Sequence, residues 1–424
     1  MVAPSLRNRW IMWPAAVLLL LLLFLLLEGA SLFLLYRHDR SVGRDMSRFA
    51  SSHLLTRPFV RPVNPAPGKR FLGNLYFGDA AWGAYYPFDS LLGWRLAPNM
   101  AVWQGSETYL YVTDANGFIV TPGSADASRD KPPFTFRVIV LGGSTVEGQG
   151  AHTPAQNLVS ALQRAAKLAR ATGPEGEALE FINAGVGGYH SGQEYLYLAS
   201  DLVRYSPDLV IAYDGWNDST YNNLLLAQAP AIAAPLRNRN EMETRGRVTD
   251  SFSTGGAAVL VLRNARNWIT SYASQLAVVD LFNRIFPRKA NPVIQLKFDP
   301  RSVEFYRQNV TAILDLGRAR GIRIAHFLQP LSGVDGRAAP AKSSWELPVR
   351  QPFYSAARAM LADLQKQYPS ACISDVSGVF AGTREEVYAD IGHLLPGGNA
   401  IVADRIVNDL IACGALRGRN DAHR

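Results

Sequence analysis

From Phe136 onward the chain alternates short apolar runs with longer amphipathic ones, and this alternation restricts it to an α/β architecture. Strands are expected at Val138–Leu141, Leu179–Ala184, Leu209–Tyr213, Ile324–Leu328 and Ala371–Val376. Helical patterns fill the gaps at 155–170, 192–205, 303–319, 351–367 and 397–412. In the first of these, Leu158, Ala161, Leu162, Ala165 and Leu168 keep helical spacing. Strands separated by helices of this length imply a parallel sheet covered on both faces. The chain has no fixed-period repeat.

The organising stretch is Val138 to Gly150, VIVLGGSTVEGQG. Four apolar residues suit a buried parallel strand, and Gly142 and Gly143 permit a tight turn. Ser144 and Thr145 then fall at the strand end, with a helix expected from about Pro154. Ligands bind in the crevice at the carboxyl ends of such strands. Ser144 is therefore a nucleophile or a phosphate-binding hydroxyl.

The neighbouring strand ends favour the nucleophile. The second runs into NAGVGGYHSGQE, with Gly185, Gly187 and Gly188, and the third into YDGWND, with Asn217 and Asp218. Downstream, YADIGHLLPGGN supplies Asp390 and His393. Three residues of separation let Asp390 reach one ring nitrogen of His393, while the other takes the proton of a serine. The Ser144 N–H, the backbone at Gly188 and the Asn217 amide are candidate donors to an oxyanion. Tyr189, His190 and Trp216 are candidates for a substrate rim. The bland alternative for Tyr189 and Trp216 is ordinary core or rim packing, and for His190 a structural or solvent role, which is the favoured one. Turn and helix-cap roles are the alternatives for Ser144, Asn217, Asp218 and Asp390. Rival motifs fail: a nucleophile elbow needs glycine where Val146 stands, and a dinucleotide loop needs glycine where His190 stands. No phosphate-binding P-loop occurs. A calcium loop starting at Asp214 would need glycine at Ser219 and glutamate at Leu225.

GGST, the glycines ending at Gly188, GWND and DIGH, in that order, resemble the four blocks of the SGNH/GDSL hydrolase superfamily, over roughly residues 136–413. The resemblance implies a flavodoxin-like three-layer sandwich with strand order 2-1-3-4-5. It implies Ser144 as nucleophile and first oxyanion donor, Gly188 and Asn217 as the other donors, and Asp390 and His393 as the rest of the triad. One departure is that the family often has Gly-Asp-Ser, where this chain has Gly143 before the serine.

Residues 11–36 are nearly all apolar, enough for a transmembrane anchor, with Trp10, Trp13 and Tyr36 at its ends. A signal peptide would have a shorter apolar region of roughly 7–15 residues. Glu28 is costly there, at roughly 2.5–3.5 kcal/mol near mid-membrane on insertion scales, so it reaches water or contacts a partner helix. Residues 1–10 are a short tail, 37–135 a linker and small β-containing preface with an Asn116–Gly117 turn, and 414–424 a polar tail. Within 136–413, residues 220–300 form an insertion. Leu236–Thr254 reads as a mobile loop. Ala257–Phe286 reads as a helix packed on the core, with a lid or membrane-surface helix as the alternative. Cys372 and Cys413 are too few for a disulfide framework or a cysteine-built zinc site. Two buried thiols are the default and a bridge the alternative in an oxidising compartment.

The formal net charge of +8 comes without a compact basic run interleaved with aromatics, so nucleic acid is not an expected partner. No metal or organic cofactor is expected. The functional expectation is a membrane-anchored serine esterase acting on O-acyl, chiefly acetyl, esters of cell-envelope carbohydrate. The alternatives are a lysophospholipase or thioesterase, an O-acyltransferase, or a non-catalytic scaffold with a membrane-protein partner. Arg37, Arg40, Arg44 and Arg48 outnumber Arg7 and Arg9, which by charge leaves the large domain in the cytoplasm. The resemblance to tethered bacterial SGNH domains places it outside.

Overall fold

A computed structural model describes residues 6–41, 70–73, 85–103, 109–122, 126–228, 276–286, 296–336 and 347–418. Helix α1, Leu6–Ser41, comes first, and its segment Ala16–His38 is long and apolar enough to cross a membrane. The helix outruns the apolar stretch because the residues flanking it continue the turn, Pro14 included.

The preface holds β1 (Arg70–Gly73), β2 (Phe88–Asp89), β3 (Gly93–Trp94), β4 (Met100–Trp103) and β5 (Tyr109–Val112). β1 lies parallel to β4, β4 antiparallel to β5, and β2 and β3 form a hairpin. At the Asn116–Gly117 turn, Asp114 Oδ1 accepts the N–H of Asn116 (2.8 Å) and of Phe118 (2.9 Å). Tyr85, Tyr86, Leu92, Leu96 and Val102 are buried in one cluster with Ile139 and Leu141 of the main sheet. The preface therefore shares the core of the sheet it covers.

The main body runs β6 (Thr135–Gly142), α2 (Ser144–Glu147), α3 (Leu158–Leu168), β7 (Ala178–Asn183), α4 (Ser191–Ser200), β8 (Leu209–Asp214) and α5 (Trp216–Gln228). It continues with α6 (Ala277–Ile285), α7 (Arg301–Arg320), β9 (Arg323–Leu328), α8 (Leu347–Gln367), β10 (Cys372–Asp375) and α9 (Pro396–Ala412). The sheet order is β7-β6-β8-β9-β10 and every pairing is parallel. This is the expected five-stranded α/β sheet in order 2-1-3-4-5. Period-two alternation sends Val138 and Val140 to the cluster under α3 and α9, and Ile139 and Leu141 to the cluster under α4, α7 and α8. Two of the expected helices are shorter than their pattern: 154–156 and 202–205 are 3₁₀ turns, and Leu168 points to solvent.

The chain leaves β6 toward β7 on one side and returns to β8 on the other. The topological switch thus falls at the carboxyl end of β6, where Ser144 stands.

Three expectations are corrected. The cysteines are not two buried thiols: Cys372 in β10 and Cys413 at the exposed C-terminus of α9 form a disulfide, Cα–Cα 5.9 Å. Glu28 does not reach water; it is fully buried and accepts the N–H of Ala277 (2.6 Å) and Val278 (2.9 Å) at the start of α6. Helix α6 in turn packs on α1 rather than on the sheet's core, through Ala277 and Leu281 against Leu32 and Leu35. Residues 236–254 and 257–275 lie outside the described residues.

Candidate active site

β6 ends at Gly142, Gly143 stands at the N-cap, and Ser144 is the first residue of the short helix α2, earlier than the helix expected from Pro154. As first residue it has an N–H with no intrahelical acceptor. Ser144 Oγ lies 2.8 Å from His393 Nε2, and His393 Nδ1 lies 2.6 Å from Asp390 Oδ2. The carboxylate beside Nδ1 fixes the proton there, so Nε2 accepts from the serine hydroxyl. Asp390 Oδ1 also accepts the N–H of Gly392 and of His393, both at 2.9 Å. Burial pushes the Asp390 carboxyl up, but the His393 hydrogen bond and charge and these N–H groups outweigh it and hold it below its ordinary range. A histidine so placed can take a proton from a serine hydroxyl.

Gly188 sits at φ +80°, in the left-handed region that favours glycine. An added Cβ there would also lie 3.1 Å from the Trp94 ring. Asn217, in the first turn of α5, donates from Nδ2 to the Tyr189 carbonyl at 2.8 Å, leaving its second amide hydrogen for another acceptor. This bond accounts for Gly143. A Cβ at 143 would come within 2.7 Å of Asn217 Nδ2 and 2.9 Å of the Tyr189 oxygen. A side chain at position 143 has no room unless Asn217 or the Tyr189 carbonyl moves.

The three rim candidates separate. Trp216 is half-buried, with its ring 4.8 Å from that of His393. Tyr189 is buried, donates its hydroxyl to the Trp94 carbonyl and packs on Trp94 and Tyr197, so its side chain is no rim. His190 is also buried, and caps α4 by accepting the Gly192 N–H at Nδ1 (3.2 Å).

Sequence reasoning missed the groups that hold these loops. Trp94 Nε1 donates to the Gly187 carbonyl at 2.9 Å, across a separation no local pattern reveals. Asn183 donates to the Val146 carbonyl (2.9 Å) and accepts from Gly185 N–H (3.0 Å), joining the first two loops. Asp218 accepts from the Ser191 hydroxyl and N–H, joining the second and third. Glu147, at the end of α2, is buried and accepts the Tyr86 hydroxyl on both oxygens (2.8 and 2.9 Å). Burial raises its pKa to about 7, with the Tyr86 hydrogen bond a smaller opposing effect. Behind the third loop, Asp214 accepts from Tyr306 (2.6 Å) and faces His326 (3.0 Å). Among the described residues no group of three or more His, Cys, Asp or Glu side chains is arranged to hold a metal ion.

No family model and no curated protein matches the chain. Solved structures do. A lipase/acylhydrolase from Enterococcus faecalis is 17% identical, with 67% of this chain and 98% of that one covered, at a TM-score of 0.37. An acetyl xylan esterase is 15% identical, covering 65% and 100%, at 0.36. A two-domain esterase active on acetylated mannans is 14% identical, covering 66% and 50%, at 0.37. At such identities and scores, the chemistry of the site rests on its own geometry.

Proposed function

We propose that this chain is a membrane-anchored serine esterase of the SGNH type. Residues 136–413 are its catalytic unit, 220–300 an insertion in it, 37–135 the linker and preface, and 11–36 the anchor. The observation that carries the reading is the line from Ser144 Oγ through His393 to Asp390, at 2.8 and 2.6 Å. In the proposed reaction His393 Nε2 takes the Ser144 proton as Oγ bonds to the ester carbonyl carbon. The carbonyl oxygen becomes an oxyanion facing the N–H groups of Ser144 and Gly188 and the Asn217 amide. Collapse breaks the ester C–O bond, and the departing alcohol takes the proton from His393. Water, deprotonated by the same nitrogen, then cleaves the acyl-Ser144 ester. Asp390 stays ionised throughout the neutral range because its carboxyl is held low.

The substrate proposed is an acyl ester, chiefly acetyl, of a cell-envelope carbohydrate. A bilayer tether suits a polymer held at the envelope. The Cys372–Cys413 bridge favours an extracytoplasmic domain, against the arginine count, because disulfides persist in oxidising compartments.

The test is p-nitrophenyl ester turnover by the purified full-length protein, acetyl against octanoyl. Acetyl turnover should exceed octanoyl, and Ser144→Ala and His393→Ala should each reduce it by roughly 10³-fold or more. An octanoyl preference would replace the carbohydrate reading with a lipid one. Turnover untouched by Ser144→Ala in a folded protein would sink the assignment of the nucleophile.

A further inference from the structure

Glu28 is a carboxylate buried in an otherwise lipid-like helix. On α1 the side chains from Val17 to Leu27 are exposed, whereas Glu28, Ser31 and Leu35 are buried and Leu32 half-buried. These four positions form a single stripe at helical spacing, and it is there that α6 packs. Helix α6 has no side-chain cap of its own at Leu276. Instead the two Glu28 oxygens take one N–H each, from Ala277 and Val278. A negative charge is favoured at this end of a helix, where the first N–H groups otherwise lack acceptors. The acid that is out of place in α1 and the missing cap of α6 are thus one feature.

Its position along α1 fixes its depth. At 1.5 Å per residue, Glu28 lies about 18 Å along the axis from Ala16 and about 15 Å from His38, the two ends of the apolar segment. With α1 across a bilayer, the start of α6 is therefore well inside the hydrocarbon. The outer face of α6 matches that medium: Phe282, Ile285 and Phe286 are all about 60% exposed, with Phe282 and Phe286 in ring contact. Its two charged side chains, Asp280 and Arg284, pair with each other at 2.9 Å, which suits a helix leaving the membrane centre. Polar backbone can stand at such depth only when its N–H groups have protein acceptors; Glu28 provides them for Ala277 and Val278, and the Leu276 carbonyl for Val279 and Asp280.

We propose that α6 is a membrane-embedded element of the insertion, docked on the anchor through Glu28, with its Phe282–Ile285–Phe286 face against lipid acyl chains. The proposal rests on α1 spanning a bilayer and is independent of the esterase chemistry.

Full-length protein carrying a nitroxide at Phe282→Cys, or for control at Leu21→Cys on α1, is reconstituted into phosphatidylcholine vesicles. Cys372 and Cys413 are bonded to each other and take no label. Collisions with oxygen, which concentrates in acyl chains, are compared with collisions with a water-soluble nickel chelate. Oxygen should dominate at both positions, and adding Glu28→Leu should lower the oxygen-to-nickel ratio several-fold at 282 alone. Nickel dominance at 282 with oxygen dominance at 21 overturns the proposal while leaving the anchor intact. Exclusion of both reagents at 282 means a protein covers the face, a second copy included, and overturns the lipid occupant. An unchanged ratio in Glu28→Leu overturns the docking role of Glu28. Nickel dominance at 21 overturns the spanning of α1 and the proposal with it.

Discussion

Gly143 shows how closely the residues around Ser144 are set. Its missing Cβ is what lets the Asn217 amide and the Tyr189 carbonyl close over the turn. Gly143→Asp, which puts a side chain into this space, should push Asn217 out of place. Overpacking of this kind costs about 1–3 kcal/mol, so the melting temperature and kcat should fall together. A variant with unchanged melting and turnover would show that the turn has slack. The sequence made Ser144, Asp390 and His393 legible because each stands at a strand end or in a turn with its partner at fixed spacing. It did not reveal that Tyr189 faces the preface and Trp216 faces His393, because adjacent to a glycine turn nothing in the local pattern says which way a ring points.

Between elements, the tie from preface to catalytic turn runs through Tyr86 and Glu147. Burial holds Glu147 at about 7, above its usual carboxyl value. The folded protein therefore binds a proton that the unfolded chain releases at lower pH. Stability from this group is full below about pH 4.5 and is lost as pH rises through about 7. Urea unfolding across this range should show wild type losing stability relative to Glu147→Gln as pH increases. A difference that does not vary with pH would mean that Glu147 titrates normally. The alternation of strands and helices was readable because buried parallel strands are near-continuous apolar runs. The place of α6 was not, because its apolar face fits a core, a lid or a bilayer equally well until Glu28 is seen to hold its first turn.

At the scale of the whole molecule, the Cys372–Cys413 bridge joins the edge strand β10 to the end of α9 across a separation of 41 residues. Chain-entropy arguments give such a loop a stabilisation of about 4 kcal/mol. Reduction should lower the melting temperature, and an unchanged value would mean the bridge constrains the unfolded chain little. The pairing was not legible, since two apolar segments forty residues apart give no sign that the fold brings their ends together. Asp390 and His393 both fall inside the closed loop. The acid and the base thus ride on a covalent circle. A protease that cuts the exposed Glu385–Glu386 corner would release no fragment, and the nicked protein would run as one band until a reductant opened the circle.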